Sequence, residues 1–246
     1  MATIYLSPSV QEGNPYITGQ NEEYVMNLIA DAMEPYLVSS GIQFVRNTPD
    51  QTLSQVIAQS NAGRYDLHLA LHSNAAPDNK AGQVRGTDVY YYTTSREGKR
   101  AADIIANNFK YISPTPERVK TVPTTSLAEL RRTKAPAVLV EIAYHDNRQD
   151  AQWILDNITP IARNLVQSVA EFFGIPFIEA TAPQIETVKT PGGGGVNLRY
   201  KPSYDAAVVT VIPNGATVSV VGEWNDWYVL QYQGYVGYVD SAFVSP

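Results

Sequence analysis

The sequence predicts an α/β protein: a mostly parallel twisted sheet with helices on both faces, followed by a small all-β domain. In the first part of the chain, short apolar runs alternate with segments whose apolar residues recur at helical spacing, and this alternation favours a parallel sheet. From Val196 onward, short β-rich runs follow one another without any helical pattern, which is typical of a small barrel or sandwich. A stretch rich in proline and glycine lies between the two parts. We therefore predict a larger domain over residues 1–177, a linker over 178–195 and a small β domain over 196–246.

The elements of the larger domain follow from the spacing of apolar residues. A helix is predicted from Asn21 to Gly41, although Pro35 lacks a backbone donor and would loosen it or divide it into two segments. The other predicted elements are an N-terminal strand, strand 42–46, helix 53–62, strand 66–72, strand 87–92, helix 95–111, strand 137–144 and a single long helix over 150–173.

Two apolar strands end in residues that can carry chemistry. The first leads into His72, and the second carries Glu141 within it, with His145 four residues further on. In open α/β sheets, ligands bind beyond the carboxyl ends of the strands. A carboxylate inside an apolar strand is costly to bury unless it is paired, bound to a metal or kept protonated. These residues therefore predict a reactive site at one edge of the sheet.

Composition excludes several classes of function. The net charge is −6 and no block rich in lysine and arginine is present, so we expect no nucleic-acid partner. The chain has no cysteine, which excludes disulfides and thiolate metal sites. No apolar stretch approaches the ~18 residues needed to span a bilayer, and we expect no signal peptide in these residues, because the first strand-like run has no basic segment or cleavage site before it.

Three segments, in order, resemble motifs of the zinc-dependent N-acetylmuramoyl-L-alanine amidases of the type 3 family. They are Asn21–Leu28, the run His72-Ser73-Asn74-Ala75, and Val140–Asn147, and the resemblance extends over about residues 3–174. It implies a Zn²⁺ ion bound by Glu23 and His72, with Glu141 as the general base that activates water. The implied reaction is hydrolysis of the amide bond between N-acetylmuramic acid and L-alanine of the peptidoglycan stem peptide.

The third metal ligand is where this chain departs from the family. Members usually carry a histidine in the turn after the first strand, whereas this chain has Val10-Gln11-Glu12. Charge favours Glu12, because a carboxylate binds zinc better than an amide oxygen does. The turn also resembles a variant group of the family with glutamine at this place, so we assign Gln11. Glu12 and His145 remain alternatives.

Other polar residues have less specific interpretations. We assign Arg131 to substrate binding, because a guanidinium can hold a stem-peptide carboxylate through two hydrogen bonds, although Arg131 or the neighbouring Arg132 could equally be a solvated surface residue. We also assign His145 to substrate binding, where it could stabilise an oxyanion, and a histidine with only a loop position is the alternative. His68 lies four residues before His72 on the same side of the strand, about 13 Å away by strand rise. A single ion could not easily be held by both, so we predict that His68 is a buried, hydrogen-bonded histidine.

The C-terminal segment resembles bacterial SH3 domains that bind the cell wall. The resemblance rests on Val196–Arg199, on the run Pro213–Val218, and on Trp227–Val229 followed by Gly237–Val239. It implies an SH3-like barrel that holds the enzyme on peptidoglycan, its stem peptides and glycan, outside the cell or in the wall. Release by lysis, as for a phage lysin or a sporulation enzyme, is an alternative route. The alternative functions are a degenerate amidase that binds wall or regulates a partner hydrolase, and a zinc peptidase.

Overall fold

The computed structural model describes residues 1–245 as thirteen strands, six α-helices and three short 3₁₀ segments. The strands are β1 (Ala2–Pro8), β2 (Ile42–Arg46), β3 (Leu67–Asn74), β4 (Thr87–Tyr92), β5 (Val119–Thr124), β6 (Ala137–Tyr144), β7 (Gln184–Val188), β8 (Val196–Arg199), β9 (Val208–Ile212), β10 (Thr217–Trp224), β11 (Trp227–Tyr232), β12 (Tyr235–Asp240) and β13 (Val244–Ser245). The helices are α1 (Glu22–Ser39), α2 (Leu53–Ala62), α3 (Arg96–Phe109), α4 (Ala128–Arg132), α5 (Arg148–Asp156) and α6 (Ile158–Phe173).

The first six strands form one sheet in the order β2-β1-β3-β6-β4-β5. Strands β1, β3 and β6 run parallel to one another, whereas β4 runs antiparallel to β6 and parallel to β5. The central strand β3 is buried along its whole length except at Asn74, as expected for a strand that is apolar on both faces. The predicted α/β fold is confirmed.

The possible division of the first helix into two segments at Pro35 and the single helix over 150–173 are both wrong. Helix α1 continues through Pro35 as one helix, because its fully buried apolar face, which includes Met26, Ile29 and Met33, packs into the core. The predicted long helix over 150–173 is instead α5 and α6, separated at Asn157. The break puts Pro160 in the first turn of α6. Backbone N–H groups in the first turn have no acceptor within the helix, so a proline there costs no helical hydrogen bond.

The other seven strands form an antiparallel sheet in the order β13-β7-β10-β11-β12-β8-β9. A cluster of buried side chains fills its core: Val188, Val196, Leu198, Ile212, Val218, Leu230, Val239 and Val244. The prediction of a linker over 178–195 is wrong for residues 184–188, since β7 pairs with both β10 and β13. Val188 is completely buried, so the apolar side of this short strand belongs to the β domain.

The chain divides into two compact units. One contains Met1–Thr3, Glu34–Gln43 and the chain from Phe173 onward, and the other contains Ile4–Met33 and Phe44–Phe172. All the candidate site residues lie in the second of these. Within residues 1–245, no helix combines the length and the apolar character that crossing a membrane requires.

Candidate active site

The predicted reactive residues stand in one row across the sheet. His72 on β3 is paired with Glu141 on β6, and Glu141 is paired in turn with Asp88 on β4. Paired residues on neighbouring strands project from the same face of a sheet, so these three side chains share one face. The sequence prediction that His72 and Glu141 meet at one edge therefore agrees with the observed pairing.

The imidazole ring of His72 has a carboxylate on each side. Its Nδ1 lies 2.8 Å from Oε1 of Glu22, and its Nε2 lies 3.2 Å from Oε1 of Glu129. Burial opposes protonation of His72, but the hydrogen bonds to Glu129 and Glu22 outweigh it and raise the pKa of His72 well above its usual value. Without a metal, this ring is therefore held as a cation between two anions.

Glu22, and not the predicted ligand Glu23, is the acidic residue that contacts His72. The carboxylate of Glu22 is buried and also accepts a hydrogen bond from Nδ2 of Asn14 at 2.6 Å. Burial raises the pKa of Glu22, but its hydrogen bond with His72 leads the effects that bring it below the usual value. Glu23 instead lies beside Glu12; burial and this second carboxylate raise the pKa of Glu23.

Helix geometry explains why Glu22, rather than Glu23, contacts His72. The side chain of Asn21 accepts a hydrogen bond from the backbone N–H of Tyr24 at 2.8 Å and so caps the start of α1. Residues three or four positions apart share one face of a helix. Glu22 precedes the buried residues Val25 and Met26 by three and four positions, so its side chain lies on the inward face of α1. The next residue is turned about 100° away from that face.

Gln11 is the candidate third ligand that lies next to His72. Its Nε2 is 3.3 Å from Nδ1 of His72, and its Oε1 accepts a hydrogen bond from Asn14. The oxygen and nitrogen of an amide occupy equivalent positions, so a turn of the amide plane would present the oxygen to the same point. Of the two alternatives, Glu12 is exposed and lies beside Glu23, and His145 has other partners.

His145 is buried and held by its neighbours. Its Nδ1 is 2.8 Å from the backbone oxygen of Ser73, and its ring stacks on Tyr16 with the centroids 5.3 Å apart. Nδ1 of His145 is thus bonded to the backbone of Ser73 and does not contact the proposed ligands Glu22 and His72. Arg131 is exposed in the last turn of α4. Substrate binding by His145 and Arg131 stays a prediction.

Glu141 has the properties of a proton acceptor. Its Oε2 is buried and has no hydrogen-bond partner within residues 1–245. Burial raises the pKa of Glu141 to about 7; His72 opposes this shift, and the carboxylates of Glu22 and Asp88 reinforce it. A carboxyl group that titrates near neutral pH can both take up and release a proton during a reaction.

A cavity of about 250 Å³ opens beside these groups. Its walls combine polar and apolar side chains: Ser7, Gln11, His72, Glu129 and Glu141 on the polar side, and Pro8, Val10, Leu53, Val56, Leu127, Ala128 and Leu139 on the apolar side. A few convergent polar groups in an apolar cavity are typical of a ligand site.

Glu129 is a site residue that the sequence did not reveal. Its Oε2 accepts a hydrogen bond from Oγ of Ser7 at 2.6 Å and lies 2.8 Å from Nε2 of His68. Burial alone would raise the pKa of Glu129, but the hydrogen bonds with His68 and His72 lower it strongly. His68 is completely buried and also bonded to Ser60, which confirms its prediction as a buried, hydrogen-bonded histidine. Glu129 gave no local signal because its histidine partners are 61 and 57 residues away in the chain.

Two of the three side chains around Nδ1 of His72 carry groups that bind zinc. Glu22 and His72 present an oxygen and a nitrogen donor of the kind that zinc binds, whereas Gln11 faces the ring with its amide nitrogen and must turn its oxygen away from Asn14 to act as a ligand. Their separations of 2.8 and 3.3 Å are near the ~3.3 Å between neighbouring ligands of a tetrahedral zinc ion. Within residues 1–245, no group of three histidine, aspartate or glutamate side chains is arranged to hold a metal. The residues therefore fit zinc only if the amide of Gln11 completes the set.

Comparisons with known proteins match both parts of the chain. A family model described as N-acetylmuramoyl-L-alanine amidase matches residues 9–171, and one described as bacterial SH3 domain matches residues 194–245. The curated N-acetylmuramoyl-L-alanine amidase LytC of Bacillus subtilis (strain 168) is 29% identical over 156 residues, which are 61% of this chain and 30% of LytC. The chain thus spans under a third of the length of that relative.

Solved structures show the same fold. N-acetylmuramoyl-L-alanine amidase AmiC2 of Nostoc punctiforme aligns with a TM-score of 0.63 and 19% identity, covering 70% of this chain and 97% of AmiC2. The catalytic domain of CwlV, an N-acetylmuramoyl-L-alanine amidase from Bacillus (Paenibacillus) polymyxa var. colistinus, aligns with a TM-score of 0.62 and 18% identity, covering 72% and 100% of the two chains. At these identities the likeness concerns the fold alone.

Proposed function

Because the chain belongs to the N-acetylmuramoyl-L-alanine amidase family, we propose that it hydrolyses the amide bond between N-acetylmuramic acid and L-alanine of the peptidoglycan stem peptide. The family model and the bacterial SH3 match confirm both resemblances that the sequence motifs indicated. The observation that carries the proposal is the row formed by His72 and Glu141 at the end of β3 and β6, with Glu22 against His72.

The proposed metal centre consists of Glu22, His72 and Gln11, with Glu22 in place of the predicted Glu23. Zinc bound there would supply a Lewis acid for the scissile carbonyl and lower the pKa of its water to about 7. Three protein ligands leave one position open, which is typical of catalytic rather than structural zinc sites. The hydrogen bond from Asn14 holds Glu22 in place for this role.

The proposed general base is Glu141. Its partnerless Oε2 is free to accept a proton from the attacking water, and its pKa of about 7 suits that task. The same carboxyl group then donates this proton to the amino group of L-alanine as the amide bond breaks. One residue thus moves one proton from the nucleophile to the leaving group.

We further propose that the β domain binds peptidoglycan and that the protein acts at the cell wall. The support is the match of residues 194–245 to bacterial SH3 domains. A tethered binding module raises the effective concentration of the substrate around the catalytic domain without changing the chemistry. Its effect should therefore appear on intact wall and not on small soluble muropeptides.

Digestion of purified sacculi tests the activity. The zinc-loaded protein should release peptides with a free L-alanine amino group and leave unsubstituted lactyl carboxylates on the glycan, as identified by mass spectrometry. Chelation should stop the release, and zinc should restore it. His72→Ala and Glu141→Gln should each lose activity by a factor of at least about 100.

The alternative is a degenerate amidase that only binds the wall, and the absent histidine at the Gln11 position is the observation that favours it. Zinc-loaded protein that sediments with sacculi but releases none of these termini would establish that alternative. Cleavage between two amino acids of the stem would indicate a peptidase instead.

A further inference from the structure

The nitrogen of His72 that faces away from the proposed metal site is also held. Nε2 lies 3.2 Å from Oε1 of Glu129, and the side chains of Glu129 and His72 are only 5% and 10% exposed. This contact joins α4 to the end of β3. It lies on the opposite side of the ring from Glu22 and Gln11, which both face Nδ1.

Glu129 is itself fixed on both carboxylate oxygens. Oε1 faces His72, and Oε2 is engaged by Ser7 at 2.6 Å and by His68 at 2.8 Å. His68 is held in turn by Ser60 at 2.9 Å and by stacking on Tyr5 with the centroids 5.1 Å apart. These contacts hold the carboxylate of Glu129 against the His72 ring.

A neutral imidazole carries one N–H and one lone pair, and the hydrogen bond at one nitrogen decides where the lone pair is. Without a metal, both ring nitrogens of His72 face a carboxylate and both carry a proton. Zinc bound at Nδ1 would take the place of the proton that points to Glu22, and Glu129 would keep the N–H of Nε2. The lone pair then belongs to Nδ1, which faces Glu22 and Gln11. In other metal sites, a carboxylate behind a ligating histidine fixes the ring in this way, and its removal weakens metal binding about 10- to 100-fold.

We propose that Glu129 is a positioning residue that holds His72 with its proton on Nε2 and directs the lone pair of Nδ1 to the zinc site. This inference rests on the proposed function, because it concerns how the same site binds its metal. The other residues of the site come from the turn after β1, from α1 and from β3. The proposal adds Glu129 from α4, together with its hydrogen-bond partners Ser7 and His68.

Zinc affinity tests the proposal. Competition with a chromogenic chelator should give a dissociation constant about 10- to 100-fold higher for Glu129→Ala than for the wild type. Glu129→Gln keeps an acceptor oxygen opposite Nε2 and should recover most of that loss. Leu130→Ala is the packing control: it truncates the next buried side chain of α4, so it should lower the melting temperature while changing zinc affinity less than about threefold.

A second measurement determines which nitrogen of the His72 ring carries the proton. In zinc-loaded protein labelled with ¹⁵N-histidine, the nitrogen shifts of His72 should show a metal-bound Nδ1 and a protonated Nε2, and the Nε2 proton should exchange faster in Glu129→Ala. Zinc on Nε2, or a Glu129→Ala affinity equal to that of the wild type, would overturn the inference. An equal loss in Leu130→Ala would also overturn it, because the effect would then come from packing. Wild-type protein that binds no zinc would instead refute the proposed function, and the inference with it.

Discussion

Substitution of Glu141 by glutamine should change how stability depends on pH. Burial raises the pKa of Glu141 from 4.5 to about 7 in the folded protein, whereas the unfolded chain keeps the ordinary value. Between these two values the folded state binds more protons than the unfolded state. The free energy of unfolding of metal-free wild type therefore falls as pH rises from about 4.5 to 7.

The size of the effect follows from the shift. A shift of about 2.5 pKa units at ~1.4 kcal/mol per unit amounts to ~3 kcal/mol. Glutamine resembles the protonated carboxyl group but cannot ionise. At pH 4, Glu141→Gln and wild type should thus have similar stability, and by pH 8 the variant should be more stable by ~3 kcal/mol.

Urea unfolding of both proteins in the presence of a chelator, at several values between pH 4 and pH 8, measures this difference. The other titrating groups are common to both chains, so their contributions largely cancel in the comparison. Glu117→Gln, the same substitution at an exposed position, is the control. A difference between Glu141→Gln and wild type that does not change with pH would refute the reasoning, because Glu141 would then ionise as easily in the folded chain as in water.

Three further predictions concern the site and the fold. Glu22→Gln should weaken zinc binding at least about 10-fold in the chelator assay while Glu23→Gln stays within about threefold, and the reverse order would restore the original assignment of Glu23. Val188→Ala should lower the free energy of unfolding by ~2 kcal/mol, because Val188 is completely buried. Ile185→Ala on the same strand is the control and should cost less than about 0.5 kcal/mol, because Ile185 is 71% exposed. Equal effects in urea titrations would mean that β7 is not part of the core. Thr52→Ala removes the capping box at the start of α2 and should cost ~1 kcal/mol in the same titrations, whereas no loss would mean that the cap contributes nothing to stability.

The sequence predicted those parts of the site that depend on local pattern. An apolar strand that ends in His72, and a carboxylate embedded in the strand at Glu141, are visible without any knowledge of the fold. The rule that ligands bind beyond the carboxyl ends of strands predicted that both residues lie at one edge of the sheet, whereas the direct pairing of β3 with β6 is known only from the structure. The break between α5 and α6 was not predicted, although Pro160, which belongs in the first turn of a helix, was a signal for it.

Other parts depended on long-range packing. The choice between Glu22 and Glu23 is set by which side of α1 faces the core, and the buried residues Val25 and Met26 were the available signal for it. Glu129 could not be found in this way, since α4 is only five residues long and its partners lie on β1 and β3. Strand β7 was missed because its short β pattern lies next to residues that resemble a linker.

The most direct test of the proposed centre is X-ray diffraction from zinc-soaked crystals, with an anomalous difference map recorded at the zinc absorption edge. The account predicts a single strong peak within about 2.3 Å of Nδ1 of His72, an oxygen of Glu22 and the amide oxygen of Gln11. A peak bound by Glu23 or His145, or a saturated soak with no peak at His72, would contradict it.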